Sequence, residues 1–582
     1  MAGYRESYAG KISRKLLKKQ RIIAVAAGRE PADLVLKNAT YVNVFSNELC
    51  TDDIAVAEGL IVGMGQYSGA VEVDMTGRIV CPGFLDAHIH LESALVTPRE
   101  FAKAVLPHGT TTVICDPHEI ANVMGTDGID YMLQATEGLP VDVHFMIPSC
   151  VPATPMDEAG AVLDYRAIDS LFDHPRVLGL AEMMNFPGVI AGDGDTVAKI
   201  VAAQAHHKKI DGHAPDLKDK ELNAYMAAGV YSDHECHDAD DALQKLRRGQ
   251  FIMIRDGTAA RNLEALMPLL SEKYYDRCMF CTDDKHPSDL LEKGHMDHIL
   301  RQAVALGCDP IMAVQVACHH AARYFLLNNR GAIAPGYLAD FAIVRDLRQF
   351  QVEFVYKRGV LVYNRGELAE IPSPPVEPWL EQRALDTFHL SPLTADSFAD
   401  RRPRAVIGMV PGEITTTDCG YATGVDTSRD ILKIAVVERH KNTGHIGLGY
   451  LRGYGLTRGA VATSVSHDSH NIIVVGANDA DMALAVNQVA GSGGGITVVC
   501  DGQVLSELPL EIAGLMSTDT LIRVNEKLEH AKAVAHALGV KGSIDPFMTL
   551  SFMALPVIPT LRLTTRGVVD VGSQQYVYPP RQ

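Results

Sequence analysis

Pro82-Gly83-Phe84-Leu85-Asp86-Ala87-His88-Ile89-His90 decides the reading of this 582-residue chain. An apolar run ending on ionisable residues predicts a buried strand over 84–90 that delivers side chains to its C-terminal end. His88 and His90 are two apart, so on a strand both imidazoles face one side and reach one ion. By the same count Asp86 shares that side, as a candidate carboxylate to hold a ligating imidazole in its tautomer.

Working outward, the same grammar repeats. Apolar runs with polar ends are expected as strands at 112–116, 144–148, 177–182, 209–213, 230–234, 251–255 and 279–283, separated by stretches of helical period. Eight such units predict an α/β chain built on a (β/α)8 TIM-like barrel over 81–327. Residues 1–80 are expected to hold an N-terminal helix and the first part of a small β-sandwich, and 328–370 its second part, so that the two flanking β segments pair. The proline-rich run from Ile371 reads as a linker over 371–380. A C-terminal α/β domain is expected over 381–582.

In such a barrel the strand ends converge on one mouth. Glu182, His213, His234 and Asp283 occupy successive ends after His88 and His90. Four imidazoles, a bridging carboxylate and a terminal aspartate supply donors for two divalent ions. Cys278 and Cys281 form a C-x-x-C in an apolar run without a second pair, and read as buried thiols. His467 and His470, three apart, have metal-like spacing, but the plainer expectation is a polar loop ahead of a strand at 472–475, closing over the barrel mouth. The glycines of 491–495 read as a turn.

Composition narrows the partners. A formal charge of -18 opposes binding to a phosphate backbone. No apolar run approaches a membrane span, and the basic segment Lys11 to Arg21, near Glu6, reads as a solvated helix. Eleven scattered cysteines suggest reduced thiols and a cytoplasmic location.

The run 82–90, together with Gly336-Tyr337-Leu338-Ala339-Asp340-Phe341-Ala342-Ile343-Val344, resembles the amidohydrolase superfamily. His90-Leu91-Glu92-Ser93, Asp116-Pro117-His118-Glu119-Ile120-Ala121-Asn122-Val123, Ser232-Asp233-His234-Glu235-Cys236-His237 and Thr282-Asp283-Asp284-Lys285-His286-Pro287 narrow the likeness to the adenine deaminase family, over nearly the whole chain. Many superfamily members bridge their metals with a carbamylated lysine. Here the fourth strand offers Glu182 instead, which argues against the cyclic-amide hydrolases of the dihydroorotase and hydantoinase type, the alternative reading. The resemblance implies two divalent ions, Mn2+ or Fe2+ ahead of Zn2+, and hydrolysis of adenine to hypoxanthine and ammonia in purine salvage.

Carbon 6 of adenine is a poor electrophile, and coordination lowers the pKa of water from 15.7 toward about 7. Asp283 is the expected general base and then general acid. Glu235 is the candidate for protonating the ring nitrogen, provided the strand ends at His234 so that both face the mouth. His237 is a candidate proton shuttle and His118 a neighbouring histidine. Asp284 is expected at the imidazole edge of the base, with Asp116 and Glu119 as substrate-site support. Arg255 is expected to face the mouth and order a loop or a carboxylate. The expected partners are a small-molecule base and a second copy of the chain in a homodimer, with no nucleic acid and no membrane.

Overall fold

Eight short parallel strands carry the centre of the computed structural model, which describes residues 8–258, 260–411 and 413–577, and of residues 8–11 the backbone alone. They are β1 (Phe84–His90), β2 (Thr110–Cys115), β3 (Asp142–Ile147), β4 (Val177–Met183), β5 (Lys209–Gly212), β6 (Ser232–Asp233), β7 (Phe251–Arg255) and β8 (Cys278–Cys281). Strands β1 to β5 form one parallel ladder and β6 to β8 another. Two links close the ring. Tyr231 N donates to Ile210 O at 3.1 Å, and Asp283–Asp284, just past β8, pair in parallel with Ile89 and His90 of β1.

The barrel interior follows the strand period. Leu85, Ala87, Ile114, Met146, Ala181, Met253, Met279 and Cys281 pack into one buried cluster, whereas Phe84, Ile252, Ile254, Cys278 and Phe280 belong to another. Alternate residues thus fill the barrel or face its outer layer. Helices follow the strands, several opened by side-chain caps: Thr97 for Pro98–Val105, Asp193 for Gly194–Ala205 and Asp238 for Ala239–Arg247.

The flanking β segments do meet. Ile79–Pro82 pairs antiparallel with Phe341–Val344, from the far side of the barrel. The expected small sandwich is one nine-stranded hydrogen-bonded sheet. In the strand Ala32–Asn43, Leu34 and Leu36 enter one core with Ile54, Phe341 and Ile343, while Ala32 and Val35 enter another with Val25 of the N-terminal helix Tyr8–Ala26. That helix covers the second face. Residues 12–20 on it are exposed, as expected for the basic segment, and Glu6 lies outside the described residues.

Past Ile371 the chain is irregular to Glu377, where the helix Pro378–Leu385 begins inside the expected linker. Proline is suited to a first helical position, where its missing N–H would have no partner anyway. Beyond it lies an eight-stranded sheet with the helix Asp479–Gly491 packed on it through Met482, Val486 and Val489. This unit is not a free appendage. Leu95 and Val96 of the barrel share a core with Leu510, Leu515 and Met516, and Ser517 N donates to Leu95 O at 2.9 Å. The eleven cysteines are free, Cys278 and Cys281 among the buried ones. Among the described residues no helix is long and apolar enough to cross a membrane.

Candidate metal centre

The C-terminal end of β1 departs from regular pleating. Its pairing with β2 shifts between Asp86 and Ile89. Leu85 and Ala87 point into the barrel, yet His88 and His90 also reach the mouth, so two consecutive residues face inward at 87 and 88. An irregularity of this kind re-aims side chains, as β-bulges beside active sites do.

It also overturns the expectation for Asp86. Asp86 turns away from the imidazoles and accepts from Thr282 N at 3.0 Å and Thr282 Oγ1 at 2.5 Å, with His295 Nε2 at 3.2 Å. It tethers β8 to β1. The acceptor that fixes an imidazole is the backbone carbonyl of Asp116, 2.9 Å from His90 Nδ1.

Glu182, at the end of β4, is the hub. Its Oε1 lies 3.7 Å from His88 Nε2, 3.4 Å from His90 Nε2 and 3.5 Å from His118 Nδ1. Its Oε2 lies 2.6 Å from His213 Nδ1 and 3.2 Å from His234 Nε2. Asp283 Oδ1 completes the ring at 3.6 Å from His88 and 3.1 Å from His90. Asp283 reaches this position with a φ of 61°, the left-handed region that a non-glycine residue seldom occupies. The expected strand over 279–283 therefore stops at Cys281, and the backbone turn aims the carboxylate at β1. Strain held at such a position is characteristic of functional sites.

Second-layer contacts hold the ring together. Tyr225 Oη accepts from His213 N at 3.0 Å and donates to Met183 O at 2.9 Å, tying the ends of β4 and β5. Asp233 Oδ1 accepts from Ala214 N and Glu235 N, and Asp233 pairs with the buried Lys245. The ladder of β6 ends at Asp233, as the Glu235 role requires, and both His234 and Glu235 face the centre. Glu235 Oε1 is 3.4 Å from His234 Nε2 and 3.6 Å from His213 Nδ1.

Arg255 spans two acids. It forks onto Glu235, with Nη2 to Oε2 at 2.8 Å, and donates from Nη1 to Asp283 Oδ2 at 2.7 Å. Arg255 thus orders carboxylates. Although burial opposes charge on Glu235, Arg255 and the two histidines push its carboxyl below the ordinary value. From the ionised form, Glu235 can protonate a ring nitrogen only after first taking up a proton.

Other expected residues divide. Asp284 bonds Ser93 Oγ beside His90 and Asp283. Asp116 Oδ2 bonds His118 Nδ1 at 3.1 Å, and its Oδ1 is buried without a partner. His237 is not brought in. Its side chain is 59% exposed and its nearest acid is Asp216 at 4.0 Å, out on the rim. The polar run that lets Glu235 turn inward continues past Cys236 and carries His237 back to solvent.

Glu119 faces the C-terminal unit, a contact that no local motif announces. His467 Nδ1 lies 2.8 Å from Glu119 Oε1, and His470 Nε2 bonds Oε2. The trio has metal-like proximity. Ser466 N, however, donates to His470 Nδ1 at 3.2 Å, which leaves the ring proton on Nε2, aimed at Glu119. The trio is complete as a hydrogen-bonded ion cluster without a cation. Its nearness to His118, whose Nε2 is 3.5 Å from Glu119 Oε1, makes the C-terminal unit a wall of the site.

The donors around Glu182 differ from this satisfied trio. His88 Nε2 is buried with no hydrogen-bond partner, although two carboxylates face it. Burial opposes charge on His90, His213 and His234, yet the surrounding acids lift all three above the ordinary imidazole value. Burial likewise opposes charge on Glu182, and His234 and His213 outweigh it, holding the carboxyl well below its usual range. A site that attracts protons to imidazoles in this way attracts divalent cations in their place. Nitrogen and carboxylate donors in this number suit two borderline divalent ions. The set contains no lysine.

Comparison with known proteins finds relatives by sequence over nearly the whole chain. Residues 79–362 match the Amidohydrolase family and residues 413–575 the Adenine deaminase C-terminal domain. A protein of Desulfatibacillum aliphaticivorans named adenine deaminase is 48% identical over 564 residues, covering 96% of this chain and 99% of its own. One of Kosmotoga olearia with the same name is 46% identical over 565 residues, covering 96% and 98%. Among solved structures, the L-hydantoinase of Arthrobacter aurescens aligns with a TM-score of 0.45 at 15% identity, over 58% of this chain and 98% of that one.

Proposed function

The chain belongs to the adenine deaminase family of the amidohydrolases, and from that premise we propose that it hydrolyses adenine to hypoxanthine and ammonia at a centre of two divalent cations. The observation that carries the reading is the ring of His88, His90, His213, His234 and Asp283 around Glu182, with His88 Nε2 left partnerless. His88, His90 and Asp283 would hold one cation and His213 and His234 the other, with Glu182 shared between them. Manganese or iron is the proposed pair of ions, and the proposal extends to purine salvage in the cytoplasm by a homodimer.

Bound divalent cations supply a nucleophile at neutral pH by acidifying water. Asp283, held through Oδ2 by Arg255, then takes up a proton and passes it to the departing amine. Glu235, ionised in the resting site, relays a proton to the ring only after accepting one. Asp284, anchored by Ser93, is proposed to orient the base, and the near-complete burial of the ring excludes bulk water from it. Glu182 in place of a carbamylated lysine, with the pair Asp283–Asp284, supports a deaminase over a cyclic-amide hydrolase.

The test is ammonia release from adenine by manganese- or iron-loaded protein, run against ammonia release from cytosine and ring opening of dihydroorotate followed by ultraviolet absorbance. Turnover of adenine alone is expected. A metal-replete sample that releases no ammonia from adenine ends the proposal.

A further inference from the structure

The loop 464–471 leaves the C-terminal sheet and lands on the segment after β2, where Glu119 grips His467 and His470. Asp468 lies between these two anchors and is 3% exposed. Its Oδ1 stands 3.9 Å from His118 Nε2, beyond hydrogen-bond reach, and its Oδ2 is buried with no partner. His118 turns its other nitrogen to Glu182 Oε1 at 3.5 Å. One imidazole ring therefore separates Asp468 from the hub of the centre.

Buried carboxylate oxygens are normally hydrogen-bonded, and one left bare points to a donor supplied from outside the chain. Glu119 already has two histidines and Asp284 has Ser93; Asp116 also keeps a bare Oδ1 but is tied to His118 through Oδ2, whereas Asp468 stands beside His118 beyond hydrogen-bond reach with Oδ2 bare. A purine base carries such a donor, the N–H of its five-membered ring. In a nucleoside that nitrogen bears the sugar.

We propose that Asp468, supplied by the C-terminal unit, accepts the N9–H of the bound base and so selects free purines over N9-substituted ones. The assignment rests on the function proposed above. It gives the C-terminal unit a chemical role: His467 and His470 are positioning residues that hold the loop on Glu119, and Asp468 is the contact. A site built to take a substrate N–H rejects analogues without one by large factors, because its own buried acceptor is then left unpaired.

Binding to the manganese-loaded full chain tests this without relying on turnover. Hypoxanthine and 9-methylhypoxanthine are titrated calorimetrically into the unchanged protein, Asp468→Ala and Asp468→Asn, with metal content measured on each. Hypoxanthine is expected to bind the unchanged protein about 100-fold more tightly than its methyl derivative. Asp468→Ala is expected to weaken hypoxanthine about tenfold or more while moving the methyl derivative less than about threefold. Asp468→Asn, which keeps the shape and one acceptor oxygen, should fall between. Equal losses for both ligands, unchanged hypoxanthine affinity, or loss of the cations in Asp468→Ala each overturns the assignment. Absence of adenine turnover by the unchanged protein, with N–H-dependent binding intact, breaks the proposed function and leaves Asp468 standing.

Discussion

Buried charge sits at both ends of this barrel, and the two ends balance it differently. At the N-terminal end of β3, Asp142 receives Lys357 Nζ at 2.7 Å, Arg358 Nη2 at 2.8 Å and Arg330 Nη1, while Asp340 takes Lys357 at 2.7 Å. Those acids meet permanent cations from the flanking sheet and its approach, so the cluster is neutralised by the chain itself. At the C-terminal end, Glu182 and Asp283 meet mainly imidazoles, whose charge is conditional, and His88 Nε2 faces both acids without a hydrogen bond to either. The lower cluster clamps the barrel to its flanking sheet. The upper one needs something added, which matches the division of stability and activity between the two faces of such barrels.

That contrast can be broken at either end. Glu182→Gln removes the shared carboxylate and should cost about 10⁴-fold in adenine turnover, equivalent to ~5.5 kcal/mol, together with loss of bound manganese by elemental analysis. Retained metal and activity would sink the hub assignment. Asp283→Asn should keep the ring's shape while removing proton transfer, lowering kcat about 10³-fold. Because Asp283 would also help to hold a cation, metal content is measured alongside, and the expected signature is a similar fall in kcat/KM per metal-loaded site.

Asp142→Asn leaves the buried Lys357 and Arg330 to share Asp340 and should destabilise the protein by about 3 kcal/mol, read from the denaturant midpoint, with turnover per folded molecule unchanged. Burial opposes charge on Asp142, but Lys357 and Arg330 hold its carboxyl below the ordinary 3.8. Its folded pKa is therefore the lower one. The stabilisation is fully present above the unfolded value and is lost as pH falls through the folded one, so the unchanged protein should lose stability in acid more steeply than Asp142→Asn.

Arg255→Lys gives up the planar fork between Glu235 and Asp283 and is expected to lower kcat about tenfold, ~1.4 kcal/mol. His237→Ala should change turnover by less than about twofold, since an exposed rim histidine touches nothing at the centre. A large loss there would restore the shuttle role that the geometry withholds.

Much of the ring was legible beforehand because its residues sit where apolar runs end. His88, His90, Glu182, His213 and His234 each close or follow a strand signal, and barrel topology alone brings strand ends together. Asp86 was misread because period-2 counting assumes a regular strand, and the irregularity between Asp86 and Ile89 changes the parity. Glu235 and His237 share one polar run, and only the turn of that run decides which faces inward. The grip of His467 and His470 on Glu119 joins residues some 350 positions apart, a separation at which no local pattern carries information.

From the sequence by itself came the chemistry: the donor types, their order along successive strands, the absence of a lysine at the bridging position and the membership of a deaminase family. Tertiary structure alone decided which carboxylates are spent on the chain's own cations and which are left for others, that Asp283 reaches the ring through a left-handed turn, and that the C-terminal unit walls the site. The physical reason is that periodicity specifies which face a side chain takes on a regular element, whereas charge balance and hydrogen-bond satisfaction belong to neighbours that only the folded chain assembles.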